Sequence, residues 1–222
     1  GSLSYARGVA VSSDNKIWVA DQNKARLQVY SMEDGNLKTN FDLPDTVPGQ
    51  SYAGMAVDLR NNRILVTFSD GYRGGVKAFN PDGKLLWSDV GRAWMKAPKY
   101  VAVDREGNSF VSDYGTHFIY KYDESGRYVS KFGGPGLSGA DLNGPRGICA
   151  PKYVAVDREG NSFVSDYGTH SIYKYDESGR YVSKFGGPGL SGAKLNRPQG
   201  ICVDSQSGHI VVVDSKNPRV VV

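Results

Sequence analysis

The sequence predicts an all-β fold, a β-propeller of about five four-stranded blades. Three observations predict it. Short runs rich in Val, Ile, Tyr and Phe recur between polar turns, and no helical periodicity of apolar residues extends to a useful length. The runs restart at an even interval: Gly8 to Gly54 and Gly54 to Tyr100 each span 46 residues, and Tyr153 to Gly200 spans 47. Finally, residues 97–149 are followed at once by a second copy, 150–202, with four changes: Phe118/Ser171, Asp141/Lys194, Gly144/Arg197 and Arg146/Gln199. A unit of four antiparallel strands repeated every ~45 residues is the signature of a propeller blade.

The blades are expected in chain order within a single domain, 1–222. The first, 6–45, holds GVAV (Gly8–Val11), IWVAD (Ile17–Asp21), RLQVY (Arg26–Tyr30) and LKTNF (Leu37–Phe41). Asp-Asn and Asp-Gly turns join them, which is hairpin chemistry. The second, 52–96, runs GMAVD, RILVTF, VKAFN and LLWSD. The third, 98–142, and the fourth, 151–195, share YVAVD, SFVSD, IYKYD and YVSKF. The fifth, 198–222, has GICVD, HIVVVD and RVVV, and lacks a fourth strand.

One interval departs from the rule. Tyr100 to Tyr153 is 53 residues, and the excess lies in NGPRGICAPKYVAVD (Asn143–Asp157). PRGIC starts an inner strand there, and PKYVAVD starts one again. Tyr153–Asp157 is expected to be the strand and Gly147–Lys152 a loop, because Pro151 cannot donate to a ladder. Duplication with offset breakpoints, recent or engineered, explains this; a long binding loop is the alternative.

The 222 residues suffice for a sizeable core, and the net charge of +4 permits an acidic partner without requiring one. No apolar run approaches the roughly 20 residues of a membrane-spanning helix, so no membrane association is expected. Cys149 and Cys202 occupy the same place in the two copies and read as buried thiols, pointing to a reducing, cytoplasmic setting.

Arg197–Val222 (RPQGICVDSQSGHIVVVDSKNPRVVV) and Ala6–Tyr30 (ARGVAVSSDNKIWVADQNKARLQVY) resemble NHL repeats, as found in the NHL domains of tripartite-motif proteins. The middle blades keep the strand framework but carry Tyr where that family often has Gly. The resemblance covers essentially the whole chain. It implies a propeller, usually of six blades, and a role in binding RNA stem-loops or protein partners.

Charge sorting gives the same direction. In a propeller the turns between strands two and three, with the inter-blade links, share one face; the remaining turns share the other. The latter (SSDNK, DREGN, NPDGK, DESGR and their equivalents) are acid-rich, with a balance of about −6, and the former have a balance of about +6. The candidate ligand-binding residues on the basic side are Arg7, Lys24, Arg26, Arg73, Lys194, Arg197, Lys216 and Arg219, with Lys77 and Arg146 also placed there. Ring groups lie among them: Tyr72, Tyr114, His117, Tyr167 and His170. Cations interleaved with rings suit single-stranded or looped RNA, whose bases stack while its phosphates meet Lys and Arg. An acidic protein surface is the other partner class. The bland readings are that both faces are simply solvated and that Tyr-Gly only shapes a turn.

Asp21, Asp70, Asp113, Asp166 and Asp214 recur at the end of each second strand. Present in every blade, they read as acceptors for turn N–H groups and not as a metal ring. With three histidines, no HExxH spacing, no Gly-x-Ser-x-Gly elbow and no phosphate loop ahead of a helix, no catalysis, metal or cofactor is expected. GGPGLSG (Gly133–Gly139) reads as an inter-blade link. The apolar edge at Val220–Val222 is expected either to receive Leu3–Tyr5 or to pair with another copy of the chain.

Overall fold

The computed structural model describes residues 3–44, 50–135, 151–190, 193–204 and 206–222. Among the described residues, nineteen strands form five antiparallel sheets in chain order, four of four strands and the last of three. This is the expected all-β architecture, including the missing outer strand of the fifth blade. Among the described residues, no helix is long and apolar enough to cross a membrane.

The chain divides into two compact units, Gly1–Val101 and Ala102–Val222, and the division falls within a strand. The first unit holds the sheet β1 (Ala6–Val11), β2 (Lys16–Asp21), β3 (Arg26–Ser31), β4 (Leu37–Asp42), and the sheet β5 (Ser51–Asp58), β6 (Arg63–Ser69), β7 (Gly74–Phe79), β8 (Leu85–Val90). Trp18, Leu27, Val29, Tyr52, Ile64, Val66, Phe68 and Phe79 form its buried core. Trp18 stacks on Phe41, with ring centroids 5.9 Å apart. The inner strands approach closely: a Cβ on Gly54 would lie 2.5 Å from Lys99 O and from Tyr100 Cα, so only glycine fits.

The third sheet comprises β9 (Pro98–Val103), β10 (Ser109–Asp113), β11 (Phe118–Tyr122) and β12 (Tyr128–Phe132). The fourth is β13 (Pro151–Val156), β14 (Ser162–Asp166), β15 (Ser171–Tyr175) and β16 (Tyr181–Phe185). The fifth is β17 (Pro198–Val203), β18 (Ile210–Asp214) and β19 (Arg219–Val221). In the second unit the outer-strand Phe132 leaves its own sheet to meet Tyr175, with ring centroids 4.9 Å apart. Leu195, from the link into β17, is buried with Phe163, Ile172 and Val212.

Two expectations are corrected. The inner strand of the fourth blade starts at Pro151, two residues before the predicted Tyr153. Pro151 pairs with Asp166 as the first strand residue, and a register shift before Tyr153 absorbs its missing donor. Pro198 opens β17 in the same manner, opposite Asp214. Residues 147–150 of the expected loop lie outside the described residues. The second correction is Cys202, which is exposed. In β17 the side chains of Ile201 and Val203 pack into the core, and strand alternation turns Cys202 away from it. Cys149 lies outside the described residues.

Leu3–Tyr5, one of the two candidates to cover the β19 edge, makes backbone bonds to the end of β2. The N–H groups of Ser4 and Tyr5 donate to the Asp21 carboxylate, and Tyr5 O accepts from Gln22 N–H at 3.0 Å.

Candidate functional site

The acid-rich turns owe their composition to turn chemistry. Asp104 Oδ1 accepts the N–H groups of Glu106 and Asn108, and Asp157 does the same for Glu159 and Asn161. These are Asx turns, in which the carboxylate stands in for a backbone acceptor.

The opposite set of loops is anchored by the Asp at the end of each second strand. Asp21, Asp113, Asp166 and Asp214 are fully buried. Asp70 Oδ1 accepts from Tyr72 and Arg73 N–H at 2.9 and 2.8 Å, and these bonds hold its carboxyl below the usual carboxylate range. Asp113 accepts from Gly115 N–H and Thr116 Oγ1. Asp166 Oδ1 accepts from Gly168 and Thr169 N–H, while its Oδ2 has no partner among the described residues. Burial pushes the Asp166 carboxyl up, against those two bonds and the nearby His117. Asp214 Oδ1 accepts from Asn196 N–H at 2.6 Å, tying the link to β18. Among the described residues, no three His, Cys, Asp or Glu side chains are grouped to hold a metal ion.

In the first unit, Arg7 is exposed on β1, lies over the Tyr5 ring at 4.7 Å and donates to its hydroxyl. Lys24 is exposed on the single 3-10 turn Gln22–Lys24. Arg26 opens β3 half-buried, 3.7 Å from the Asp21 carboxylate. Tyr72 is 87% exposed and Arg73 is exposed beside it, both on the turn that Asp70 holds. Lys77 does not belong to the surface set: it is 1% exposed, its ammonium donates to Pro44 O, and it lies 5.3 Å from the Phe68 ring centroid. The charge count could not show this, because Lys77 sits mid-strand between apolar neighbours.

Sequence reasoning passed over Trp94, which is 63% exposed. Its turn is closed by Trp94 N–H to Gly91 O, and Gly74 N–H donates to Met95 O, joining this link to the strand beyond Tyr72. Arg92 reaches Asp70 at 3.8 Å. A tryptophan in a Gly-Arg-Ala-Trp link was the available signal.

In the second unit, Tyr114 is exposed and His117 half-buried, the latter in the left-handed region at φ 65°. Tyr167 and His170 repeat these positions, and the link into β17 brings Arg197 onto both. Arg197 N–H donates to His170 Nδ1 at 3.0 Å. Its guanidinium donates to Tyr167 Oη at 3.0 Å and lies 5.0 Å over that ring. Lys194 and Lys216 are exposed. Arg219 is exposed but internally bonded, with Nε on Asp214 and Nη2 on Lys194 O. Arg146 lies outside the described residues. The loops thus present rings and cations on backbone frames fixed by buried carboxylates, a combination able to stack a planar group and neutralise an anion.

A family model described as NHL repeat matches residues 3–30 and 195–222. The chain is 34% identical over 127 residues to Protein brain tumor of Drosophila melanogaster, covering 56% of this chain and 11% of that protein. It is 23% identical over 218 residues to peptidylglycine alpha-amidating monooxygenase of Rattus norvegicus, covering 84% of this chain and 22% of that protein. Among solved structures, virginiamycin B lyase from Staphylococcus aureus superposes with a TM-score of 0.68 at 13% identity, covering 100% of this chain and 70% of that one. That likeness carries the propeller fold alone. The chain spans a tenth to a quarter of these two curated relatives.

Proposed function

We propose that this chain, whose residues 3–30 and 195–222 match the NHL-repeat model and whose described strands form five sheets of propeller-blade type, is a non-enzymatic binding module for single-stranded or looped RNA. Within each unit, the binding groups lie on the loops between second and third strands and on the links between blades. One observation carries the reading. The exposed pair Tyr72 and Arg73, and the exposed Arg197 seated on the half-buried Tyr167 ring, stand on loops whose backbones are pinned by Asp70 and by His170. A rigid ring loses little freedom when a base stacks on it, and a nearby cation meets the adjoining phosphate. An exposed free thiol at Cys202 suits a reducing, cytoplasmic setting.

The test is a titration of the chain with a labelled pool of random 12-nucleotide single-stranded RNA, beside the variant Tyr72→Ala/Arg73→Glu. The reading expects binding that weakens with salt and a variant that binds at least tenfold more weakly. Equal binding by both proteins overturns it. Capture of an acidic protein with no RNA binding favours the second partner class.

A further inference from the structure

The four differences between the two copies are not scattered. Lys194 and Arg197 sit in the link entering β17, Gln199 is the second residue of that strand, and the fourth, Ser171, opens β15 beside His170. The link is cross-bonded to the β18–β19 turn: Gln199 Nε2 donates to Ser215 Oγ, and Ser215 Oγ donates to Arg197 O at 2.6 Å. Two of the changes at this corner, Asp to Lys and Gly to Arg, bring in cations, and the third, Arg to Gln, removes one, so the second copy is more positive by two charges here.

Arg197 is the unusual one. Its φ is +58°, in the left-handed region, and it precedes Pro198. Side chains with a Cβ are disfavoured in that region, and a following proline disfavours helical-type conformations further. The matching residue of the first copy is Gly144, and glycine is the residue type that the left-handed region admits at no steric cost. Both backbone bonds of Arg197, N–H to His170 Nδ1 and O from Ser215 Oγ, would survive in a glycine. What the arginine adds is a guanidinium stacked on Tyr167, with one N–H on the phenol oxygen and with Nε and the other nitrogen, Nη2, making no bond among the described residues. A strained residue held by its surroundings points to a role for its side chain.

We propose that Arg197, seated on Tyr167, is an oxyanion-recognition residue that donates to a phosphodiester oxygen of bound RNA; this rests on the RNA-binding reading above. Tyr167 fixes the guanidinium plane, and Lys194 and Lys216 supply the surrounding positive charge. The arginine gives up conformational ease for that contact.

Arg197→Gly separates the two effects, because it removes the guanidinium and relieves the backbone. With the random 12-nucleotide RNA pool as probe, the variant is expected to bind about tenfold more weakly. Its salt slope is expected to be shallower by roughly 0.7, the value for one phosphate contact on a single strand. Its Tm is expected to rise by several degrees. Arg197→Lys keeps the strain and the charge and loses the planar stack, so it should weaken binding without raising Tm. Wild-type affinity and slope in Arg197→Gly, beside weakened binding in Tyr72→Ala/Arg73→Glu, overturns the Arg197 site while the RNA reading stands. A fall in Tm for Arg197→Gly shows a structural clamp and overturns it as well. Absence of RNA binding by the unaltered chain overturns both.

Discussion

Asp166 and Asp214 hold the same place in successive blades, yet their oxygens are served differently. Asp214 Oδ1 takes Asn196 N–H, and its Oδ2 takes Asn217 Nδ2 and Arg219 Nε at 3.0 and 3.1 Å. Asp166 is as deeply buried with one oxygen lacking a partner among the described residues. A raised folded-state pKa means that the folded protein holds more protons than the unfolded chain between the ordinary carboxylate value and the raised one. Stability therefore declines as pH rises through that window and stays lower above it. Asp166→Asn keeps an acceptor for Gly168 and Thr169 and removes the buried charge. It is expected to raise Tm by a few degrees at pH 7 and to abolish that decline. Asp214→Asn sets an amide against donors already in place and should cost about 1–3 kcal/mol. Thermal melts of both variants from pH 4 to 8 check the pair; a loss of stability in Asp166→Asn contradicts it. The acceptor role of these residues was legible because the Asp recurs in every blade. Which of them lacks a partner was not, since that depends on links remote in sequence. The same holds for Arg26 and Arg219, counted as surface charge but bonded to Asp21 and Asp214.

At the scale of elements, the outer strand of one blade locks onto the last turn of the next. Phe41 from β4 packs on Gly83, and Phe132 from β12 packs on Gly179. Both glycines lie at positive φ, 79° and 78°, and a Cβ on either would meet the Phe ring at 2.1 and 2.7 Å. Gly179→Ala therefore combines left-handed strain with a clash and is expected to cost about 2–4 kcal/mol. Gly35, at φ 68° with open space around it, carries the strain alone, so Gly35→Ala should cost about 1 kcal/mol. Urea melts of the two variants measure the difference, and equal losses would refute the packing role. PDGK and ESGR were legible as turns from the sequence. Their second duty was not, because the Phe that needs the glycine lies in the preceding blade. Strand positions followed from the recurring apolar runs to within one to three residues at their starts, and at Pro151 the difference came from giving the missing donor more weight than the register shift that accommodates it.

At the scale of the whole molecule, β19 pairs with β18 and has no outer strand among the described residues. Val220 is 61% exposed beside it. A strand at the edge of a sheet can pair with another strand, and we propose that a second copy of the chain supplies it. Light scattering is expected to show a mass that rises with concentration and falls to that of a monomer in Val220→Lys. A monomer at every concentration contradicts this. The propeller was readable from the repeat period, whereas the ligand surface was readable only as a charge and ring pattern. Lys77, counted with the surface charges, lies in the interior once the strands are laid down, and Trp94, to which the sequence reading gave no place, is exposed on a link.

The central claim is that these loops bind RNA through phosphate contacts. Its most direct measurement is the dissociation constant of the unaltered chain for the random 12-nucleotide RNA pool at about 50 and 200 mM salt. Saturable binding is expected, with an affinity that falls steeply with salt, by roughly 0.7 in log slope for each phosphate contacted. Undetectable binding at about 50 mM salt, or an affinity indifferent to salt, would contradict it.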